Sequence, residues 1–258
     1  MGRHFRTLLL IGLVLQACSS PKEPVLFQDS TIDAILAGVY DGDMSCGDLL
    51  QHGDFGIGTF DGLNGEMAVI DGTVYQVRAD GKVYRPGGSE KLPFASVCRF
   101  QSDGEFDLPA GAGFDSVQAF IDRQDPDQNS FLAIRIDGTF RMMHTRSVPK
   151  QEKPYPPLAQ VTAHQPEFRM QDVSGTIVGF RMPPFIKGIN MPGYHLHFIS
   201  SDRTQGGHIL GFEIASGQCK LMQIRNFHLR LPGAGSGFSG TDLQSDRSHQ
   251  YQQVEGAH

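Results

Sequence analysis

Six Asp-Gly pairs punctuate this chain, at Asp41-Gly42, Asp61-Gly62, Asp71-Gly72, Asp80-Gly81, Asp103-Gly104 and Asp137-Gly138. They constrain its fold more than any other feature. Asp-Gly tolerates the positive φ angles of a two-residue hairpin turn, so a pair set between apolar runs marks a reversal between short strands. Residues 67–70, 73–78 and 82–85 read as a meander, and residues 130–136 and 139–145, around Asp137-Gly138, as a second hairpin. Further strand signals lie at 175–182, 194–200, 208–214 and 219–231. Helix signals are few. Asp115-Ser116 can cap a short helix running through Arg123, with Val117, Phe120 and Ile121 on one face, and residues 31–37 are a second candidate. The Pro-rich passage Pro154-Tyr155-Pro156-Pro157 interrupts the pattern and suits a domain boundary. The fold class is therefore α+β and strand-rich, with two β-based halves joined near residues 150–170. The Gly-rich stretch 233–240 lacks the strand-to-helix context of a nucleotide loop and reads as a flexible connection.

The first residues read as an address. Arg3 and Arg6 precede an apolar run over residues 8–15. That run is too short to span a bilayer, which takes about 20 apolar residues. It suits the apolar region of an export signal. It ends in Leu15-Gln16-Ala17-Cys18 followed by Ser19-Ser20, which resembles a bacterial lipoprotein signal. On that reading residues 1–17 are removed, Cys18 is lipidated and residues 18–28 form a tether. The soluble domain is then held outside the cytoplasm, touching a bacterial membrane only through the anchor. The only basic cluster lies in this leader, and 22 Lys+Arg stand against 28 Asp+Glu for a net charge of −6. That balance disfavours nucleic acid as a partner, because phosphate binding needs a clustered positive surface.

Cys46, Cys98 and Cys219 would remain after such processing. None forms a CxxC pair, and their wide spacing supports no cysteine-rich zinc site. They read as buried free thiols, with one disulfide among them left open.

The histidines are more informative. Tyr194-His195-Leu196-His197-Phe198 has strand character, so His195 and His197 project from one face. A polar loop over 201–207 separates them from His208, at the start of another strand. If the two strands pair, three imidazoles form a facial platform that leaves metal positions open for water or substrate. Zinc suits such a set best; iron, manganese and nickel remain open.

The segment Tyr40-Asp41-Gly42-Asp43 through Cys46-Gly47-Asp48-Leu49-Leu50-Gln51-His52-Gly53-Asp54-Phe55-Gly56-Ile57-Gly58-Thr59-Phe60 resembles the bacterial α-acetolactate decarboxylase family. So do Asp61-Gly62-Leu63-Asn64-Gly65-Glu66-Met67, Asp71-Gly72-Thr73-Val74-Tyr75-Gln76, Thr145-Arg146-Ser147-Val148-Pro149-Lys150-Gln151, the three histidines and the terminal stretch 251–255. The resemblance spans about residues 30–258 in family order. It implies two mixed-sheet domains, here placed at 29–160 and 161–258, the second carrying the metal and a tail that returns to the site. It implies conversion of 2-acetolactate to acetoin and carbon dioxide with zinc (Zn2+) and no organic cofactor, through a zinc-stabilised enediolate that is then protonated. Carried over residue by residue, His195, His197 and His208 match the zinc ligands. Glu66 and Glu255 match active-site carboxylates, Arg146 the active-site arginine, and Thr59 a position near the substrate. The oligomeric state stays open, a homodimer among the options.

These residue types suit that chemistry. Loss of carbon dioxide leaves an electron pair that must settle on the ketone oxygen, where a Lewis acid stabilises it. A guanidinium can hold the departing carboxylate by two hydrogen bonds, and a carboxyl group can deliver the final proton. Taken by themselves, Glu66, Arg146 and Glu255 read equally as a turn glutamate, a strand-end surface arginine and a tail residue. Two other classes compete. One is a cupin-like metalloenzyme built on His195, His197 and Asp202. The other is a metal- or ligand-binding lipoprotein without catalysis.

Overall fold

The computed structural model describes residue 2 and residues 23–255, without the side chains of residues 252 and 255. Cys18 and leader residues 3–17 lie outside the described residues.

Strand β1 (Val25–Asp29) leads into helix α1 (Ile32–Leu36). Thr31 caps that helix, its hydroxyl accepting from the Ala34 N–H at 3.3 Å, and Ile32, Ile35 and Leu36 are buried. A two-residue strand β2 (Met44–Ser45) and the single turn α2 (Cys46–Leu49) follow. Then comes β3 (Phe55–Thr59), followed by the expected meander, β4 (Glu66–Ile70), β5 (Thr73–Val77) and β6 (Val83–Tyr84). Asp71 and Gly72 take φ values of 50° and 73°, the left-handed pair that a two-residue hairpin between β4 and β5 requires. Strands β7 (Lys91–Leu92), β8 (Phe94–Cys98) and β9 (Gly104–Asp107) precede helix α3 (Phe114–Gln124). This helix starts slightly before the expected cap: its N-cap is Gly113, and Phe114, Val117 and Ile121 are buried.

The second hairpin does not exist. Residues 131–146 form one unbroken strand, β10 (Phe131–Arg146). Gly138 is no turn residue. It faces Gly175 on one neighbouring strand and Gly217 on the other, and a Cβ there would lie 2.5 Å from the Ser216 carbonyl oxygen. The glycine permits close approach of backbones within the sheet, a role that leaves the same sequence mark as a turn.

The chain continues through α4 (Leu158–Thr162), β11 (Glu167–Met182), β12 (Gly193–Ser200), β13 (Gly206–Ile224), β14 (Asn226–Arg230) and α5 (Ser248–Glu255). Two main sheets result. The first has the order β14-β1-β8-β3-β4-β5-β6 and is mixed, with β1 and β14 parallel and its other pairs antiparallel. The second has the order β10-β11-β12-β13-β9, and β10 pairs with β13 as well as β11, so four of its strands close on themselves.

The sheets do not divide at residue 160. β10, from the first half of the sequence, pairs along its length with β11 and β13. β14, from the second half, returns to β1. The Pro-rich passage redirects the chain without ending a sheet, because strand pairing is satisfied over long sequence separations. One core cluster lies between the sheets and includes Phe55, Ile57 and Ala68 from the first with Ala133, Phe180 and Ile199 from the second. Another gathers α1, α4 and α5 through Ile32, Ile35, Leu158, Val161, Tyr251 and Val254. Cys46, Cys98 and Cys219 are free and buried. Among the described residues no helix is long and apolar enough to cross a membrane.

Candidate active site and metal centre

Strand periodicity places His195 and His197 on one face of β12. The register then sets His208 of β13 directly opposite His197. One nitrogen from each ring lies within 4.8 Å of the others, and the ring centroids are 5.0–5.4 Å apart. The three-imidazole platform expected from spacing therefore forms. Asp202, the residue that a cupin-like reading needs, is not part of it. It sits in the exposed turn between these strands, accepting from the Ser200 hydroxyl at 2.6 Å and the Thr204 N–H at 3.1 Å.

The first sheet fixes the orientation of the central ring. His197 Nδ1 donates to the Met67 carbonyl oxygen of β4 at 2.7 Å, so its Nε2 carries the lone pair. That Nε2 is buried, has no hydrogen-bond partner and faces a Glu66 carboxylate oxygen at 3.5 Å. Two electron-rich atoms so placed call for a proton or a cation between or beside them. Burial, and after it the nearby Arg146 charge, push His195 down to about 3. Burial, and after it His195, hold His197 well below the usual imidazole value. Both are therefore neutral donors at ordinary pH, the form in which imidazole binds metals. His195, His197 and His208 could hold a metal ion.

Glu66 reaches this group through a turn that depends on glycine. Gly65 has φ 87°, and a Cβ on it would lie 2.2 Å from the Val77 carbonyl oxygen. The buried Thr59 hydroxyl donates to the Gly65 carbonyl oxygen at 2.8 Å, bracing the turn from β3. Arg146 ends β10 opposite His208, is only 4% exposed, and donates through Nη2 to the Val254 carbonyl oxygen of α5. It is thus a buried residue of the site and not a surface arginine.

One cavity is lined by Thr59, Glu66, Arg146, His195, His208 and Val254. His197 is not among the residues that line it. Apart from Thr162, the remaining wall is apolar, with Ile32 and Ile35 from α1 and Leu63, Phe94, Leu158 and Met191 from elsewhere. Sequence reasoning missed this wall and the Met67 carbonyl. Residues 31–37 were visible as a helix candidate, but nothing in that segment says that one of its faces looks into a site. Glu255 closes α5, and its side chain lies outside the described residues. The arrangement sets a metal-binding platform, a carboxylate and a guanidinium around one small space with a water-poor wall.

A family model described as "Alpha-acetolactate decarboxylase" matches residues 26–245. The chain is 46% identical over 231 residues to an alpha-acetolactate decarboxylase of Methanosarcina mazei, covering 88% of this chain and 80% of that one. It is 43% identical to the Klebsiella aerogenes enzyme over 87% of this chain and 86% of that one. The crystal structure of alpha-acetolactate decarboxylase from Bacillus subtilis strain 168 superposes with a TM-score of 0.88 at 38% identity, over 90% of this chain and 100% of that one.

Proposed function

The chain belongs to the alpha-acetolactate decarboxylase family and is an acetolactate decarboxylase; on that premise we propose that it works with zinc held by His195, His197 and His208, with Arg146 and Glu66 handling carboxylate and proton. The observation that carries this reading is the convergence of three imidazole nitrogens within 4.8 Å, with the Glu66 carboxylate 3.5 Å from one of them. The donor set fits the metal. Three neutral imidazoles without a thiolate suit a catalytic zinc site that keeps a position for substrate. Zinc bound there would supply a Lewis acid for negative charge developing on substrate oxygen.

The chain's own residues do the rest. Arg146 is buried at the end of β10, where its guanidinium can pair with the substrate carboxylate and orient the bond to be broken. That carbon–carbon bond breaks, carbon dioxide leaves, and the electron pair passes toward the neighbouring ketone oxygen to give an enediolate. One proton must then reach the carbon that bore the carboxylate, which completes acetoin. Glu66 is placed to deliver or relay it, and Thr59 holds the Gly65 turn from which Glu66 projects. The wall of Ile32, Ile35, Phe94 and Met191 suits the two methyl groups and excludes water from the reacting centre. Glu255, at the end of α5, is the second carboxylate in this proposal.

The test is direct. Purified protein incubated with 2-acetolactate should form acetoin, lose that activity to a chelator and regain it with added zinc. Metal binding without turnover would overturn the catalytic reading and leave a metal-binding protein.

We also propose an exported, lipid-anchored protein, from Arg3, Arg6, the apolar residues 8–15 and Cys18. Stable anchoring takes more than one acyl chain, which lipoprotein modification supplies. Cys18→Ser should abolish acyl labelling and release or mislocalise the chain. An intact Met1 on cytoplasmic protein would refute the proposal.

A further inference from the structure

Helix α5 borders the cavity through Val254, and the Tyr251 hydroxyl ties it to two other segments. Tyr251 Oη accepts from the Gly188 N–H at 2.7 Å and donates to Asp33 Oδ1 at 3.0 Å. These partners come from two segments that are themselves joined. The Asp33 N–H donates to the Gly188 carbonyl oxygen at 3.2 Å, and the Ile32 N–H to that of Ile189 at 2.9 Å. The second segment is held from below. Gln28 Nε2 donates to the Ile189 carbonyl oxygen at 2.7 Å, and Asn190 Nδ2 donates to Gln28 Oε1 at 2.6 Å. Asp33 and Gly188 thus form a rigid two-sided socket that receives one tyrosine hydroxyl.

What the socket positions lies three residues further along the helix. Residues i and i+3 share a helix face, so Tyr251 and Val254 project together. Val254 lines the cavity, and its carbonyl oxygen accepts from Arg146 Nη2. α5 has eight residues and carries no acidic residue in its first turn and no basic residue in its last. A helix this short is marginal alone and takes its place from tertiary contacts. The Tyr251 hydroxyl is therefore one of the tertiary contacts that set where a backbone acceptor of Arg146 stands.

We propose that Tyr251 and Asp33 form a latch that docks α5 over the site, and that they act as positioning residues, orienting Arg146 toward the substrate carboxylate through the Val254 carbonyl. This rests on the reading of Arg146 as the carboxylate-binding group. Neither residue touches substrate. Phenylalanine at 251 would keep the ring, which is 8% exposed and packed in the α1–α4–α5 cluster, and remove only the hydroxyl.

The experiment uses the full chain loaded with zinc and compares the parent with Tyr251→Phe, Asp33→Ala and the double variant. For Tyr251→Phe, kcat/KM for 2-acetolactate should fall about 10-fold or more, as small misplacements of an orienting group do. KM should carry most of the change, with zinc content and Tm close to the parent's. The double variant should be no worse than the worse single, because the two residues act as one unit. Trypsin cleavage after Arg247, at the foot of α5, should be faster in all three variants. KM and kcat within twofold of the parent in a folded, zinc-loaded Tyr251→Phe would overturn the proposal, as would losses that multiply in the double variant. If Tyr251→Phe does not fold, Asp33→Ala carries the same test with the same criteria. If the parent itself forms no acetoin, the functional reading fails. The trypsin comparison then judges the latch alone, and equal cleavage rates would overturn it.

Discussion

The two sheets build the site in different ways. The closed sheet supplies its histidines from paired strands, and β10 seals that sheet by bonding to both β11 and β13. His197 faces His208 by register alone, so the candidate metal ligands inherit the rigidity of a backbone ladder. The open sheet contributes from its margin. Glu66 projects from the Gly65 turn, braced by the Thr59 hydroxyl, and Met67 offers only its carbonyl oxygen. On the proposed reading, ligands that must not move sit on a closed lattice, and the group that must meet a reacting carbon sits beside a turn. Arg146 joins the two regimes: it ends a strand of the closed sheet and is held by α5.

The sharpest way to break this comparison is to remove a ligand from the closed sheet. His197→Ala should lose zinc, measured by elemental analysis. Activity should fall by about 10³-fold or more, because the Lewis acid contributes several kcal/mol to charge stabilisation. Retained metal with full activity would mean that the ladder does not define the metal site. Glu66→Gln probes the open sheet's turn. It should keep zinc and bind substrate analogues, while turnover falls by about 10²–10⁴, the usual worth of a positioned acid or base. Near-full turnover with zinc bound would reduce Glu66 to a turn residue and move the proton to Glu255 or water. Arg146→Lys tests the junction. It keeps the charge and loses the planar fork, so kcat/KM should drop about 10–10²-fold with both KM and kcat affected, read from steady-state kinetics on acetoin formation.

The smallest effect belongs to β1, next to the edge strand β14 of the open sheet. Asp29 is fully buried on β1, and burial raises its carboxyl to about 6, in spite of the Arg230 hydrogen bond that pulls it down. The folded chain therefore holds this proton more tightly than the unfolded chain. The stabilising contribution is complete below about pH 3.8 and is lost as pH rises through about 6. Asp29→Asn should flatten Tm against pH over that interval and leave zinc content unchanged. An identical pH profile in the variant would show that Asp29 does not couple folding to protons.

Much of this protein was legible in its sequence. The meander over β4, β5 and β6 followed from Asp71-Gly72, because a left-handed pair at a turn leaves few residue choices. Helix α1 lies within the candidate segment 31–37. The same Asp-Gly signal failed at Asp137-Gly138, where glycine serves close packing between strands and the turn chemistry is irrelevant. Strand pairing across residue 160 was equally invisible, since pairing partners separated by many residues leave no local mark. At the site, His195 and His197 shared a face by strand period, a property of the sequence alone. The pairing of His208 with His197 was conditional on register, and register is decided when strands assemble. That the Met67 carbonyl would orient His197, that α1 would wall the cavity, and that Tyr251 would seat in a socket of Asp33 and Gly188 were written nowhere locally. Residue type and period depend on nearest neighbours along the chain, and so the sequence by itself determined the ligand chemistry and the strand-rich class. Proximity between β4, β12 and α5 depends on how separate elements bury their apolar faces together, and only the tertiary structure decided it.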